Sequence, residues 1–245
     1  FNTPVISPLS SKTGKAMDNI YYSRPSDQIQ REELMKYFKQ NNGNFLAIFS
    51  QKKIAIKDEL SAQYPELKVV PLLEKGELSL SNVELLLDVN KKNFVILETE
   101  STQMTLSTIN ILLKLKSKYK IQLVVLELYP VLDFEAIKMK SLTDLELLYP
   151  TNNRKNESNN YISFAKKFKS INNLYPNSFA TRGFDLTLDT VLRMYQEEGF
   201  KASTSEYYSE QLESKFNYIK IDNGNFNNAM YLHQYMDDLT IKQIK

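Results

Sequence analysis

The chain has no cysteine and no tryptophan, one histidine, six glycines, and a formal net charge of only +2 over 245 residues. Without cysteine there is no disulfide, no thiol nucleophile and no thiolate-ligated zinc. That absence suits an oxidising compartment without requiring one. His233 alone cannot build a multi-histidine metal site, which argues against a zinc hydrolase. Six glycines leave few places for close backbone approach, and neither a Gly-rich phosphate loop nor a Gly-x-Ser-x-Gly elbow is present. A broad nucleic-acid face would need clustered Lys and Arg, and the near-neutral balance speaks against one. Lys114, Lys116, Lys118 and Lys120 alternate with apolar residues along a predicted helix and read as its solvated side. No apolar run approaches the ~18 residues of a spanning helix. Leu85–Val89 and Leu123–Leu128 are the size of core segments. The first residue is Phe1 rather than Met, which reads as a processed product or a fragment, with any export signal removed or upstream.

What is present is an ordinary globular balance, 42% hydrophobic and 24% charged, arranged as short apolar runs between stretches of helical period. Asn44–Ser50, Leu67–Leu73, Asn93–Thr99, Ile121–Leu128 and Leu145–Tyr149 are predicted strands. Their continuous apolar character suits parallel strands covered on both faces. Predicted helices lie between them: Ser26–Gln40, with Ser26 as N-cap behind Pro25, then Lys53–Tyr64, Ser81–Asn90, Ser101–Tyr119 and Asp133–Lys140. This alternation implies right-handed crossovers and an open parallel sheet. Thr151–Ser158 is polar and aperiodic and reads as a linker. Two long helices follow. Asn159–Asn173 presents Tyr161, Phe164, Ala165 and Phe168. Ser178–Glu198 presents Phe184, Leu188, Val191, Leu192 and Tyr195 as its apolar face and ends at Gly199. On that second helix Asp185 and Asp189 stand beside Arg182 and Arg193, and surface ion pairing is the favoured reading over a paired-acid site. Phe216–Ile221 is a predicted strand, Asp222–Asn225 a turn, and Ala229–Tyr235 the partner strand, with His233 exposed or at an interface. Leu239–Ile244 is a further strand or a short helix.

Four segments carry a resemblance. Pro4–Ser10 (Pro-Val-Ile-Ser-Pro-Leu-Ser) looks like the last strand of a first lobe, and Ile20–Ser26 like a crossover into a second. Pro176–Asp189 resembles a helix returning to the first lobe, and Phe216–Tyr235, with its Asn-Gly-Asn-Phe-Asn-Asn core, the closing strands. Together they resemble the type I periplasmic-binding-protein fold. More narrowly, they are similar to the amino-acid ABC-transporter substrate-binding-like domains behind LysM peptidoglycan-binding modules in Bacteroidetes envelope proteins. The resemblance implies an α/β, two-lobed fold with parallel sheets flanked by helices, the first lobe incomplete in this chain. Residues 1–24 would end lobe I and cross over, 25–150 form lobe II, 151–226 return to lobe I, and 227–245 close back on lobe II. Roughly a hundred residues of the first lobe, and any LysM repeat, are missing from such a pattern.

In open parallel sheets, ligands sit beyond the carboxyl ends of the strands. That rule selects Ser7, Ser10 and Ser11 after the first strand and Ser50 after the second. It also selects Thr99, Glu100, Ser101 and Thr102 at a helix start, and Glu127 and Tyr129 after Leu123–Leu126. Hydroxyls and a helix N-terminus suit a carboxylate, and Glu127 suits an ammonium. In the resembling family such positions grip an amino acid. The same Ser and Thr residues also read as helix caps, and Glu127 as a solvated strand end. Glu98 and Glu100 form a weak cation pair. Tyr21, Tyr22, Tyr149 and Tyr175 fall near predicted junctions or loops, with core packing the alternative.

Two functions from different classes fit. One is a non-catalytic extracytoplasmic solute-binding or sensing module that takes an amino-acid-like ligand between two lobes, with no cofactor. The other is a structural or assembly subunit of the envelope, such as a lipoprotein of the periplasm or outer membrane, that keeps the fold without binding. Peptidoglycan, through a module outside this chain, or an envelope protein would be its partner.

Overall fold

The computed structural model describes residues 3–10, 17–74, 76–128, 137–154 and 157–244. In chain order the strands are β1 (Val5–Ser7), β2 (Ile20–Tyr22), β3 (Asn44–Phe49), β4 (Lys68–Val69), β5 (Asn93–Glu98), β6 (Ile121–Val124), β7 (Leu148–Thr151), β8 (Ser209–Glu210), β9 (Lys215–Phe216), β10 (Tyr218–Ile221), β11 (Gly224–Asn227), β12 (Tyr231–Tyr235) and β13 (Ile241–Ile244). The helices are α1 (Asp27–Gln40), α2 (Ile54–Gln63), α3 (Leu80–Glu84), α4 (Thr102–Leu115), α5 (Met139–Asp144), α6 (Asn159–Asn172), α7 (Ser178–Met194) and α8 (Gly199–Glu206). They form two compact units. The first comprises Phe1–Gln30 with Thr151–Tyr231, the second Arg31–Pro150 with Leu232–Lys245.

The second unit is built on a seven-stranded sheet in the order β13-β12-β7-β6-β5-β3-β4. Strands β4, β3, β5, β6 and β7 run parallel, and β12 and β13 form an antiparallel hairpin. Every residue of β3 and β5 is buried, as expected for parallel strands with helices over both faces. Leu46, Ile48, Val95, Leu97 and Leu123 pack with Ile109, Leu112 and Leu115 of α4 in one core. α4 forms because Ser101 caps it, its Oγ accepting from Met104 N at 3.3 Å, and because Thr105, Thr108, Ile109, Leu112 and Leu115 recur on one stripe. At one end of the sheet Phe38 stacks on Phe94, centroids 4.5 Å apart. Gly43 leads into β3 against that ring, where a Cβ would lie 2.3 Å from Phe94.

Two asparagines open the paired strands β3 and β5 and face each other in register. Asn44 Nδ2 donates to Asn93 Oδ1 at 2.8 Å and to Leu86 O at 2.9 Å. Asn93 Nδ2 donates to Asp88 O and Lys120 O, and Asn93 Oδ1 also accepts from Asp88 N. This network ends α3 early. The Leu86 carbonyl is taken by Asn44, and Asn90 N donates to Asp88 Oδ1, so the helix expected to run to Asn90 stops at Glu84.

Other boundaries differ for local reasons. β4 is two residues long instead of seven, because Pro71 brings no donor to a ladder. β6 stops at Val124, and Leu126 N donates instead to the buried Glu98 carboxylate at 3.3 Å. β7 starts three residues later than expected, after Glu146 turns the chain at φ 48°. Of the helix expected at Asp133–Lys140, residues 133–136 lie outside the described residues; α5 begins at Met139. His233 is buried on β12, between β7 and β13, 3.4 Å from the Tyr149 hydroxyl, which corrects its expected exposure.

The first unit holds a four-stranded sheet, β1-β2-β11-β10, parallel from β1 through β2 to β11 and closed by the antiparallel hairpin β10–β11. That hairpin corrects an expectation: the partner of β10 is β11, and β12 joins the other sheet. Asp222 takes φ 51° in the two-residue turn, which pairs Ile221 with Gly224 and leaves no room for the longer loop. Tyr21 meets Phe200 and Tyr218 edge-on at 5.0 and 5.5 Å, and Tyr22 stacks on Phe226 at 5.0 Å.

α7 is inside out relative to its sequence reading. Arg182, Asp185, Asp189 and Arg193 are all buried, whereas Phe184, Val191, Leu192 and Tyr195 are exposed. The charges are not surface pairs: backbone groups of neighbouring segments hold Arg182, Asp185 and Arg193, and the Arg193 guanidinium and the Ser209 hydroxyl hold Asp189. Asp185 accepts from the N–H groups of Leu212, Glu213 and Ser214 at 2.8 to 3.0 Å. Arg182 donates to Pro8 O at 2.9 Å and Ser23 O at 3.0 Å. Arg193 donates to Asp189 at 2.8 Å and to Ser203 O and Tyr207 O at 2.6 and 2.9 Å. A buried charge needs such partners, since desolvation alone would expel it.

Candidate functional site

Parallel strands deliver their following loops to one end of a sheet. In the second unit the ends of β3 and β5 border a cavity of about 590 Å³, within the usual range for small-ligand sites, roughly 300–1,000 Å³. Three segments line it: Ser50–Lys52 after β3, Gly76–Leu78 after β4, and Thr99–Ser101 after β5, with Gln103, Met104 and Ser107 of α4. Ser50 is set in place by its N–H, which donates to Glu98 O at 2.9 Å. A 3₁₀ turn, Gln51–Lys53, then carries the chain into α2. Gly76 holds φ 75° beside the Gln51 amide, a left-handed conformation that favours glycine.

Two of the hydroxyls accept from backbone N–H groups at the start of α4. Thr99 Oγ1 accepts from Ser101 N at 3.0 Å, and Ser101 Oγ accepts from Met104 N at 3.3 Å. Each oxygen thus accepts from a backbone N–H and its hydroxyl retains a proton to donate. The first turn of α4 adds its positive dipole end. Glu100 is fixed at the rim by Lys53, Nζ to Oε1 3.0 Å, and the hydrogen bond from Lys53 holds its carboxyl below the ordinary range. Met104 and Leu78 supply apolar wall. A carboxylate fits the hydroxyl end of this cavity, and a short apolar group fits the wall.

The structure brings Ser50, Thr99 and Ser101 to this one cavity. Glu127 stands past β6, exposed, and is not among the lining residues. Ser7 lies on β1 in the first unit, its carbonyl accepting from Ser23 N and Oγ at 3.1 and 2.9 Å. Ser10 is exposed in the same unit. Ser11 and Tyr129 fall outside the described residues. Glu98 and Glu100 do not converge on a cation, since Glu98 is buried against Leu126 N while Glu100 is exposed and turns to Lys53. Among the described residues no group of three acidic or histidine side chains is placed to hold a metal. Sequence reasoning missed the Gly76–Leu78 loop and the inner side of α4. Gln103 and Ser107, four apart on α4 and outside its buried stripe, were the available signal.

No protein-family model matches the chain, and no curated protein matches it. Solved structures do. The branched-chain amino acid transporter substrate binding protein of Streptococcus pneumoniae, in complex with isoleucine, matches with a TM-score of 0.52 at 10% identity, over 99% of this chain and 72% of that one. A leucine binding protein from Thermotoga maritima matches with a TM-score of 0.50 at 10% identity, over the same shares. A periplasmic binding protein from Burkholderia mallei matches with a TM-score of 0.52 at 10% identity, over 94% of this chain and 65% of that one. The chain therefore has the α/β fold of type I periplasmic binding proteins, with mixed sheets flanked by helices. It spans about 70% of the length of the solved chains that share that fold.

Proposed function

We propose that the chain is a non-catalytic, extracytoplasmic solute-binding or sensing module for an amino-acid-like ligand. One observation carries this reading: the cavity at the ends of β3 and β5, where Ser50, Thr99 and Ser101 meet the N-terminus of α4. Ser50, Thr99 and Ser101 take the ligand's carboxylate. Glu127, exposed three residues past the strand beside β5 and outside the cavity lining, is the residue assigned to its ammonium. Solved proteins of the same fold are named as binding leucine or isoleucine, which supports the ligand class. The same fold among periplasmic proteins supports a location outside the cytoplasm. The resemblance to domains behind LysM modules supports an envelope setting, with any peptidoglycan contact made by a module outside this chain.

The test is a thermal-shift screen against the common amino acids, followed by calorimetry on any hit. A ligand at 100 times its Kd should stabilise the protein by ~2.7 kcal/mol. Thr99→Val and Ser101→Ala should each weaken the hit, and Glu127→Ala should abolish it. Unchanged affinity in Glu127→Ala would remove that residue from the site, and silence across the whole screen would sink the reading.

A further inference from the structure

We propose that the α6–α7 end of the first unit docks on an anionic lipid surface. The feature is separate from the cavity above and does not depend on it. α6 has no buried residue along its 14 positions. Where it turns into α7, Ile171, Leu174, Tyr175 and Phe179 are each more than half exposed. A groove of about 330 Å³ runs beside the turn, lined by Tyr161, Ile162, Ala165, Lys166, Tyr175 and Pro176. So much exposed apolar surface in one place marks an interaction site rather than scatter.

The charge pattern selects the partner. From Ser158 to Phe184 the sequence has Lys166, Lys167, Lys169 and Arg182 and no Asp or Glu. Arg182 is buried, and the three lysines are exposed. Ile162, Lys166 and Lys169 share one stripe of α6 at i, i+4 and i+7. Lys169 Nζ lies 4.2 Å from the centre of the Tyr175 ring, so cation and aromatic face already meet at the groove. Tyr161, which lines the groove, hydrogen-bonds the Glu213 carboxyl, and burial raises the pKa of that carboxyl. Apolar and aromatic side chains flanked by lysines are the composition of an interfacial helix, whose apolar side enters the acyl boundary while its cations meet phosphates. Tyrosine at such a boundary keeps its ring in the apolar layer and its hydroxyl in water.

The experiment is flotation of the full chain with vesicles of phosphatidylcholine alone and of phosphatidylcholine with 30% (roughly, by ordinary practice) phosphatidylglycerol. Binding should appear only with the anionic vesicles and should fall as salt is raised from about 0.1 to 1 M, as the Debye length shrinks from ~10 to ~3 Å. Each lysine near such a surface contributes about fivefold, so Lys166→Glu with Lys167→Glu and Lys169→Glu should weaken binding by roughly a hundredfold or more. Tyr175→Ser with Phe179→Ser, at positions already exposed, should weaken it while leaving the salt dependence in place. Circular dichroism of each variant checks that it folds. Equal binding to both vesicle types, or anionic binding unchanged in both variants, would overturn the proposal. So would a protein dimer in sedimentation that the same substitutions dissolve, because a second copy would then own the face.

Discussion

Gly43 shows how little room one residue can leave. Its φ is ordinary; what matters is the Phe94 ring, 2.3 Å from where a methyl would stand. Phe94 is fully buried and stacked on Phe38, so it cannot swing aside. Gly43→Ala should therefore destabilise the protein by about 1–3 kcal/mol, an overpacking cost, in urea unfolding followed by tyrosine fluorescence. A neutral result would mean the aromatic cluster is looser than drawn. Arg193 tests the opposite case, a side chain whose loss leaves something behind. Removing the guanidinium in Arg193→Leu strands a buried Asp189 carboxylate and uncaps the Ser203 and Tyr207 carbonyls. About 3–5 kcal/mol is the expected loss, as for other broken buried pairs. Asp189→Asn in the Arg193→Leu background should recover part of it, and no recovery would argue that the packing of the arginine stem, not the charge, is what matters.

Among elements, the turn joining β12 to β13 has a built-in acid limit. Asp238 accepts from Lys242 Nζ at 2.8 Å, from the Thr240 hydroxyl and from Thr240 N at 3.0 Å. The hydrogen bond from Lys242, then those from Thr240, hold its pKa at about 2, below the ordinary 3.8. A depressed carboxylate stabilises the fold above its unfolded pKa and loses that contribution as pH falls through the folded one. The hairpin should loosen between about pH 4 and 2, with the Thr240 amide resonance moving at a midpoint near 2. A midpoint near 4 would refute the role given to Lys242, and Asp238→Asn should abolish the transition. Elements also show where sequence alone is readable. β3 and β5 were legible because a continuous apolar run between turn signals suits a strand covered on both faces. α3 was not, because an asparagine 42 positions away claims the Leu86 carbonyl. α7 was legible as a helix but not in its orientation. Period marks an apolar stripe, yet Asp185 and Arg193 are drawn inward by backbone amides and carbonyls that come from residues 203–214. Ser50, Thr99 and Ser101 could be named from strand ends alone, whereas the Gly76–Leu78 wall could not, because the strand before it, expected to run to Leu73, ends at Val69.

For the whole molecule, protection should follow burial. In hydrogen exchange the amides of β3 and β5, buried along their full length, should be the last to exchange. Those of β1, at the end of its sheet with Val5 half exposed, should be among the first. Slow exchange in β1 would show that its outer side is covered in solution. The asparagine pair at the head of β3 and β5 bears on the whole larger sheet. The two strands read Asn-Phe-Leu-Ala-Ile-Phe and Asn-Phe-Val-Ile-Leu-Glu. Their apolar side chains would tolerate a sliding error almost anywhere along them, since both faces are greasy and neither marks a place. Apart from the buried Glu98 at the far end of β5, the amide couple is the one tooth in an otherwise smooth rack. Displace it by a single step and two carboxamides are marooned without partners in the protein's dry interior, at about 1–3 kcal/mol each. Alignment of the strands that lead into Ser50 and Thr99, and hence of the hydroxyls that follow them, is thus set largely at the opposite end of the sheet.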